Sequence, residues 1–226
     1  MYLLGYDIGS SSIKAALVDA RTGHQVAVVQ SPDTEMDMIA KQMGWAEQHP
    51  ETWWNNICLA TKQLLQKTNV SPIDIKSIGI AYQMHGLVLV DKQGDVIRPA
   101  IIWCDSRAVE IGDRAFAEIG NTRCLTHLLN SPGNFTASKL KWVKDNEPEL
   151  FERIHKIMLP GDYIAMKLTG EIVTTISGLS EGVLWDFEEG QPASLVLDHY
   201  KVDASILPEI KPTFSVQGLA SKKGAL

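Results

Sequence analysis

Cysteine is scarce in this chain. There are three in 226 residues, Cys58, Cys104 and Cys124, an odd number with no C-x-x-C pair. That excludes a disulfide framework and points to reduced thiols in a cytoplasm. Long apolar runs are missing as well. The longest stretch without Asp, Glu, Lys or Arg is fifteen residues, Cys124 to Ser138, and it contains Asn130, Pro132, Gly133 and Asn134. No membrane span fits there. The opening Met1-Tyr2-Leu3-Leu4 meets Gly5 and Asp7 at once, without a basic leader, so it does not read as a signal peptide. Basic excess is also lacking. Twenty-one Lys and Arg stand against 27 Asp and Glu, a formal charge of -6, which argues against nucleic acid as a partner. No H-E-x-x-H pattern occurs, and Cys124 with His127 supplies only two metal ligands on one helix face.

What is present is an ordinary globular composition, 45% hydrophobic and 21% charged, enough to build one core. Three strands are expected in the first thirty residues: Tyr2 to Asp7, Ile13 to Val18 and Gln25 to Gln30, joined by Gly9-Ser10-Ser11-Ser12 and by Asp19-Ala20-Arg21-Thr22-Gly23. They read as an antiparallel meander. Ser31 to Gln48 has no clear period and reads as loop, with a short helix over Met36 to Gln42. Pro50 opens a helix running to Thr68, with Trp53, Ile57, Ala60 and Leu64 at helical spacing. Strands follow at Ile75 to Tyr82 and Gly86 to Val90, then a turn at Asp91 to Asp95 and an apolar stretch from Pro99 to Cys104. Helices are expected at Ala108 to Ile119, Ala137 to Asn146, Pro148 to Ile154 and Gly161 to Leu168, with a brief strand at Ile157 to Leu159. Beyond Glu188 the periodicity fades. The order implies an α/β fold with a mixed sheet flanked by helices.

Three places carry candidate chemistry. Asp7-Ile8-Gly9-Ser10-Ser11-Ser12-Ile13-Lys14 is neither a Walker A loop nor a G-x-G-x-x-G turn. Its glycine and serines still allow backbone N–H groups to approach a phosphate, and Asp7 suits magnesium held through water. A plain polar hairpin is the competing reading. Gln83-Met84-His85-Gly86 breaks two apolar strands, where Met84 offers apolar contact and His85 a hydrogen bond; a histidine satisfied within a turn is the alternative. Trp103-Cys104-Asp105-Ser106-Arg107 offers a flat wall and a carboxylate for hydroxyl groups. Asp105 equally suits a helix N-cap or a partner for Arg107. Trp142, in the amphipathic stretch Lys139 to Val143, reads as core.

Taken together the motifs carry a specific resemblance. Tyr6 to Lys14 resembles the first phosphate hairpin of the actin-like ATPases. Gly44-Trp45-Ala46-Glu47-Gln48-His49-Pro50, Trp53-Trp54, Gln83 to Gly86, Arg98 to Arg107, Met158 to Tyr163 and Leu168 to Glu171 in that order resemble the FGGY carbohydrate kinases, in their ketopentose branch. The resemblance implies a ribonuclease H-like, actin-like N-terminal domain over residues 1–226, carrying most of the sugar contacts. It implies ATP and Mg2+ as cofactors, a C-terminal kinase domain to complete the site, and a homodimer for the full-length protein. Transfer runs from the γ-phosphate to a primary hydroxyl of an open-chain sugar. Carried over, Asp7 organises the metal and phosphates; Gly9, Ser10, Ser11, Ser12 and Lys14 lie beside the γ-phosphate; Met84, His85, Trp103 and Asp105 belong to the sugar. Asn134 departs from the family's residue ahead of its lysine–tryptophan helix. The family's base aspartate lies in a G-x-G-D loop that this sequence lacks, and neither Asp198 nor Asp203 has that context. Another FGGY kinase (for gluconate, ribulose or a deoxyketose) and a non-catalytic sugar-binding module are the alternatives.

Overall fold

The computed structural model describes residues 1–221. Three strands open the chain, β1 (Tyr2–Ile8), β2 (Ile13–Asp19) and β3 (Gln25–Ser31), then a two-residue β4 (Glu47–Gln48), a long helix α1 (Pro50–Thr68) and β5 (Ile75–Tyr82). The main sheet has the order β3-β2-β1-β5. β1 and β2 are antiparallel with Leu4 opposite Leu17, Tyr6 opposite Ala15 and Ile8 opposite Ile13. Alternation therefore puts all six side chains on one face, where all are buried. That face packs on α1, whose Trp53, Ile57, Ala60 and Leu64 are fully buried. Each such Ile or Leu contributes about 1.5–3 kcal/mol relative to exposure. Tyr6 Oη and Thr61 Oγ1, 2.6 Å apart, satisfy each other inside that layer.

β5 runs parallel to β1, so the sheet is mixed. It is also the outer strand, and among the described residues no strand pairs with its far side.

The rest of the chain builds a second layer. Its elements are β6 (Val88–Val90), β7 (Ala100–Ile101), α2 (Val109–Ile119), α3 (Asn121–His127), α4 (Thr136–Asn146), α5 (Pro148–Phe151), β8 (Lys156–Met158), α6 (Pro160–Thr169), β9 (Val173–Thr175), α7 (Ile176–Glu181), β10 (Trp185–Asp186), β11 (Gln191–Pro192), α8 (Ser194–His199) and β12 (Glu209–Lys211). α6 contributes Tyr163, Ile164 and Leu168 to the first core. Leu140 and Val143 of α4, Leu179 of α7 and Val196 of α8 build the second.

The meander, the mixed sheet, α1 and α6 agree with the sequence reading. The helix expected over Met36 to Gln42 does not form. Tertiary partners take its backbone groups instead: Met36 N donates to Ser11 O at 2.8 Å, and Ile39 exchanges hydrogen bonds with Glu47. The helix expected to reach Ile154 stops at Phe151, and only Ala100 and Ile101 of the Pro99 to Cys104 stretch are strand. Beyond Glu188, where the pattern fades, α8 forms and β12 pairs in parallel with β9. Among the described residues no helix is long and apolar enough to cross a membrane.

Candidate functional site

The hairpin between β1 and β2 closes through Gly9 N donating to Ser12 O at 3.1 Å. A Cβ on Gly9 would sit 2.9 Å from that oxygen, so the turn needs glycine. Two carbonyls anchor the loop from outside. Gln48 Nε2 donates to Ser10 O at 2.6 Å, and Met36 N to Ser11 O. Asp7 faces Lys14 across the strands, 3.5 Å from carboxylate to ammonium, both side chains about half exposed. A half-exposed single carboxylate fits magnesium held mainly by water and phosphate oxygens. Among the described residues no group of three or more His, Cys, Asp or Glu is arranged to hold a metal. Cys124 is buried in the second core, and His127 Nδ1 is 2.9 Å from Asp186 Oδ2.

Gln83 continues the pairing of β5 with β1 through its N–H to Ile8 O, 2.8 Å, which places the 83–86 turn beside the hairpin. Its side-chain amide is buried with neither atom bonded. Met84 is 53% exposed. His85 adopts φ +55°, a conformation non-glycine residues seldom take. Its ring is set by Glu181, with Nδ1 2.6 Å from Oε1, and by the edge of Phe135, 4.3 Å between ring centres. Burial lowers the His85 pKa, against the raising effect of Glu181. Gly86 packs on the start of α6, where a Cβ would lie 2.5 Å from the Pro160 ring.

The third place joins the first. Trp103 is 47% exposed, and its Nε1 donates to Ser10 Oγ at 3.2 Å. Asp105 turns the other way. It is 0% exposed, and its two oxygens accept from Ala46 N (2.6 Å) and from Arg107 N, Nε and Nη2 (2.9, 2.9 and 2.6 Å). Nor is it a helix cap; Ala108 occupies that place for α2. Arg107 Nη1 also reaches Glu47 Oε1 at 2.7 Å, and its guanidinium lies 3.9 Å over Trp45 and 4.7 Å from Trp142. Arg98 pairs with both Glu47 and Glu147. The residues around Trp45, Glu47, Arg98 and Arg107 thus form a buried ionic and aromatic frame beneath the Trp103 turn. Sequence reading left Glu47, Arg98 and Glu147 unassigned, since only the fold brings them together. It also gave no role to Glu181 or Lys139.

The structure brings Asp7, Gly9 to Ser12, Lys14, Met84, His85 and Trp103 to one end of the sheet. Asp105 is there too, with its carboxylate facing inward. The architecture is that of the actin-like ATPases, and the comparisons with known proteins narrow it. The N-terminal domain of the FGGY family of carbohydrate kinases matches residues 2–225, and this chain belongs to that family. The "Xylulose kinase" of Escherichia coli K12 is 38% identical over 185 residues, 82% of this chain and 36% of the relative. A crystal structure described as a "xyloylose kinase" from Brucella ovis superposes with a TM-score of 0.90 at 28% identity, over 99% of this chain and 46% of that one. A gluconate kinase from Lactobacillus acidophilus, at 24% identity and TM-score 0.87 over 99% of this chain and 44% of that one, shares the fold. The chain spans less than half the length of these relatives.

Proposed function

We propose that residues 1–226 form the sugar-binding N-terminal domain of an ATP-dependent ketopentose kinase, converting D-xylulose to D-xylulose 5-phosphate together with a second domain. The observation that supports this best is the Trp103–Ser10 hydrogen bond, which sets a sugar wall directly against the phosphate hairpin. The xylulose kinase relatives favour the ketopentose.

In this reading Trp103 and Met84 provide exposed apolar surface against the carbon chain of the sugar. His85 Nε2 faces a hydroxyl group, because Nδ1 is held at Glu181. Asp105 supports the wall rather than touching the sugar: its hydrogen bonds fix Arg107 and Ala46 under Trp103. Gly9 to Ser12 offer N–H and hydroxyl donors toward phosphate oxygens, and Lys14 adds a positive charge. Asp7 would hold Mg2+ through water. When bound, magnesium ATP supplies the transferable phosphoryl group and neutralises its spread charge. The proton acceptor for the sugar hydroxyl is assigned to the second domain, and D-xylulose and the cofactors bind where the two domains face each other.

The test is an ADP-release assay of the natural full-length protein with D-xylulose, ribulose, gluconate and glycerol. The expected result is the highest kcat/KM with D-xylulose. A higher value with gluconate moves the protein to another branch of the family. Sugar binding without any turnover makes it a binding module.

A further inference from the structure

His85 and Trp103 stand on separate stretches of chain, yet the carbonyl groups at these two places converge on one atom. Lys139 Nζ donates to His85 O at 2.9 Å and to Ile102 O at 2.9 Å. The lysine is 0% exposed and projects from α4. One helical turn earlier, Phe135 packs its edge on the His85 ring, and Thr136 Oγ1 lies 3.4 Å from Gly86 O. The start of α4 therefore holds the 83–86 turn by its ring, its backbone and its glycine; Asn134 Nδ2 donates to Asp105 O in the Trp103 turn, and Lys139 is the side chain that bonds both turns at once.

We infer that Lys139 is a positioning residue of the sugar site, its ammonium tying the His85 turn to the start of the Trp103 turn and so setting the gap between the two groups that face the sugar. The inference rests on the reading of that site given above and adds a residue that reading does not use. Stability is a poor reason for this lysine. It forms no ion pair among the described residues, and the carboxylate that acts on it electrostatically, Asp105, is bound by Arg107. Burying an ammonium is costly, and an apolar chain of similar length would fill the space without that cost. What an apolar chain would lack is a donor for His85 O, whose hydrogen bond to Lys139 is the one the described residues give it. That carbonyl belongs to a residue at φ +55°, which keeps its conformation only where its surroundings hold it. Ile102 is the point at which the chain leaves β7 for Trp103, and the same ammonium fixes both departures.

The experiment compares Lys139→Met and Lys139→Gln with the unaltered full-length protein. Calorimetric titration reads the Kd for D-xylulose, steady-state kinetics reads the KM for ATP, and hydrogen exchange reads the amides of residues 83–86 and 102–106. For Lys139→Met the sugar Kd is expected to rise about tenfold or more from loss of two charge-assisted hydrogen bonds. The KM for ATP should stay within about twofold and the Tm should hold or rise, with faster exchange in both segments. The glutamine variant, whose shorter amide reaches one carbonyl at most, should fall between. It carries the comparison if the methionine variant does not fold. Unchanged sugar Kd with unchanged exchange overturns the inference, and so does a lower Tm with unchanged Kd. Failure of the unaltered protein to bind D-xylulose removes the ketopentose reading instead; the exchange measurement then still decides whether Lys139 ties the two turns.

Discussion

Trp103 Nε1 lies 3.2 Å from Ser10 Oγ, although the two residues are 93 positions apart in the chain. This contact makes the hairpin and the Trp103 turn one surface, so a change on one side is felt on the other. Trp103→Phe keeps an aromatic wall and loses the donor. It should raise the sugar KM a few-fold, in line with one neutral hydrogen bond of about 0.5–1.5 kcal/mol. Trp103→Ala loses the wall as well and should cost the sugar at least about tenfold in KM. A native KM in Trp103→Phe would remove the hydrogen bond from the account, and equal KM values for the two variants would remove the wall. Steady-state kinetics with D-xylulose decides it.

His85→Ala removes the free ring nitrogen and the contact with Glu181. Sugar KM should rise several-fold while the KM for ATP stays nearly constant. His85→Asn is the gentler variant, since asparagine tolerates the left-handed backbone at this position. It should fold as well as the native protein. An unaffected sugar KM in both returns His85 to a purely structural role.

Asp7→Asn should leave the Tm almost unchanged, because its pairing with Lys14 is half exposed and such pairs contribute about 0–1 kcal/mol. Turnover should fall strongly all the same, since phosphoryl transfer depends on positioning and charge neutralisation. Near-normal kcat with normal magnesium dependence would overturn the role.

Arg107→Met leaves Asp105 buried without its guanidinium and takes one partner from Glu47. Breaking a buried pair in this way typically costs about 3–5 kcal/mol, so urea denaturation should show a large drop in stability. A loss below about 1 kcal/mol would mean that the frame relaxes around the missing charge.

Asp162 gives a pH prediction. It lies at the first turn of α6, accepts hydrogen bonds from Leu159 N (3.2 Å) and Thr174 Oγ1 (2.9 Å), and burial raises its pKa to about 7. An unfolded aspartate titrates near about 3.9. Between these values the folded chain binds the extra proton, so its stability is greatest below the lower value and falls as pH rises through the window. Asp162→Asn keeps an acceptor for both donors and removes the titration. Thermal unfolding between pH 4 and pH 8 should show the native Tm falling more steeply than that of the variant. Parallel curves would rule the effect out.

Much of this architecture was legible because its signals are periodic and local. The alternation of Leu4, Tyr6 and Ile8 against Ile13, Ala15 and Leu17, with a glycine-serine turn between, specifies a hairpin and its buried face. Trp53, Ile57, Ala60 and Leu64 specify α1 in the same way. Elements of six or seven residues, such as α3, α7 and α8, are too short to show a period, and tertiary bonds decide the 36–42 stretch. At the site, the motifs located the three turns but not what each side chain does there. Asp105 is of a type that binds hydroxyl groups, and it is spent on Arg107 because Glu47, Trp45 and Trp142 assemble a buried frame around that guanidinium. Lys139 sits in a stretch read by its tryptophan, and nothing in the sequence shows that its ammonium points at two distant carbonyls.

The outer side of β5, with which no strand pairs among the described residues, bears on how the isolated chain behaves in solution. Alternate residues of this eight-residue strand present backbone N–H and C=O groups to any strand that arrives, and Lys76 is its single charge. From Gly79 to Tyr82 no charge, proline or bulge interrupts the edge, so it lacks the features that keep sheets from joining side by side. A preparation of this chain alone should therefore be limited in concentration by self-association and should gain solubility from a second lysine placed at Ser77 or Ala81.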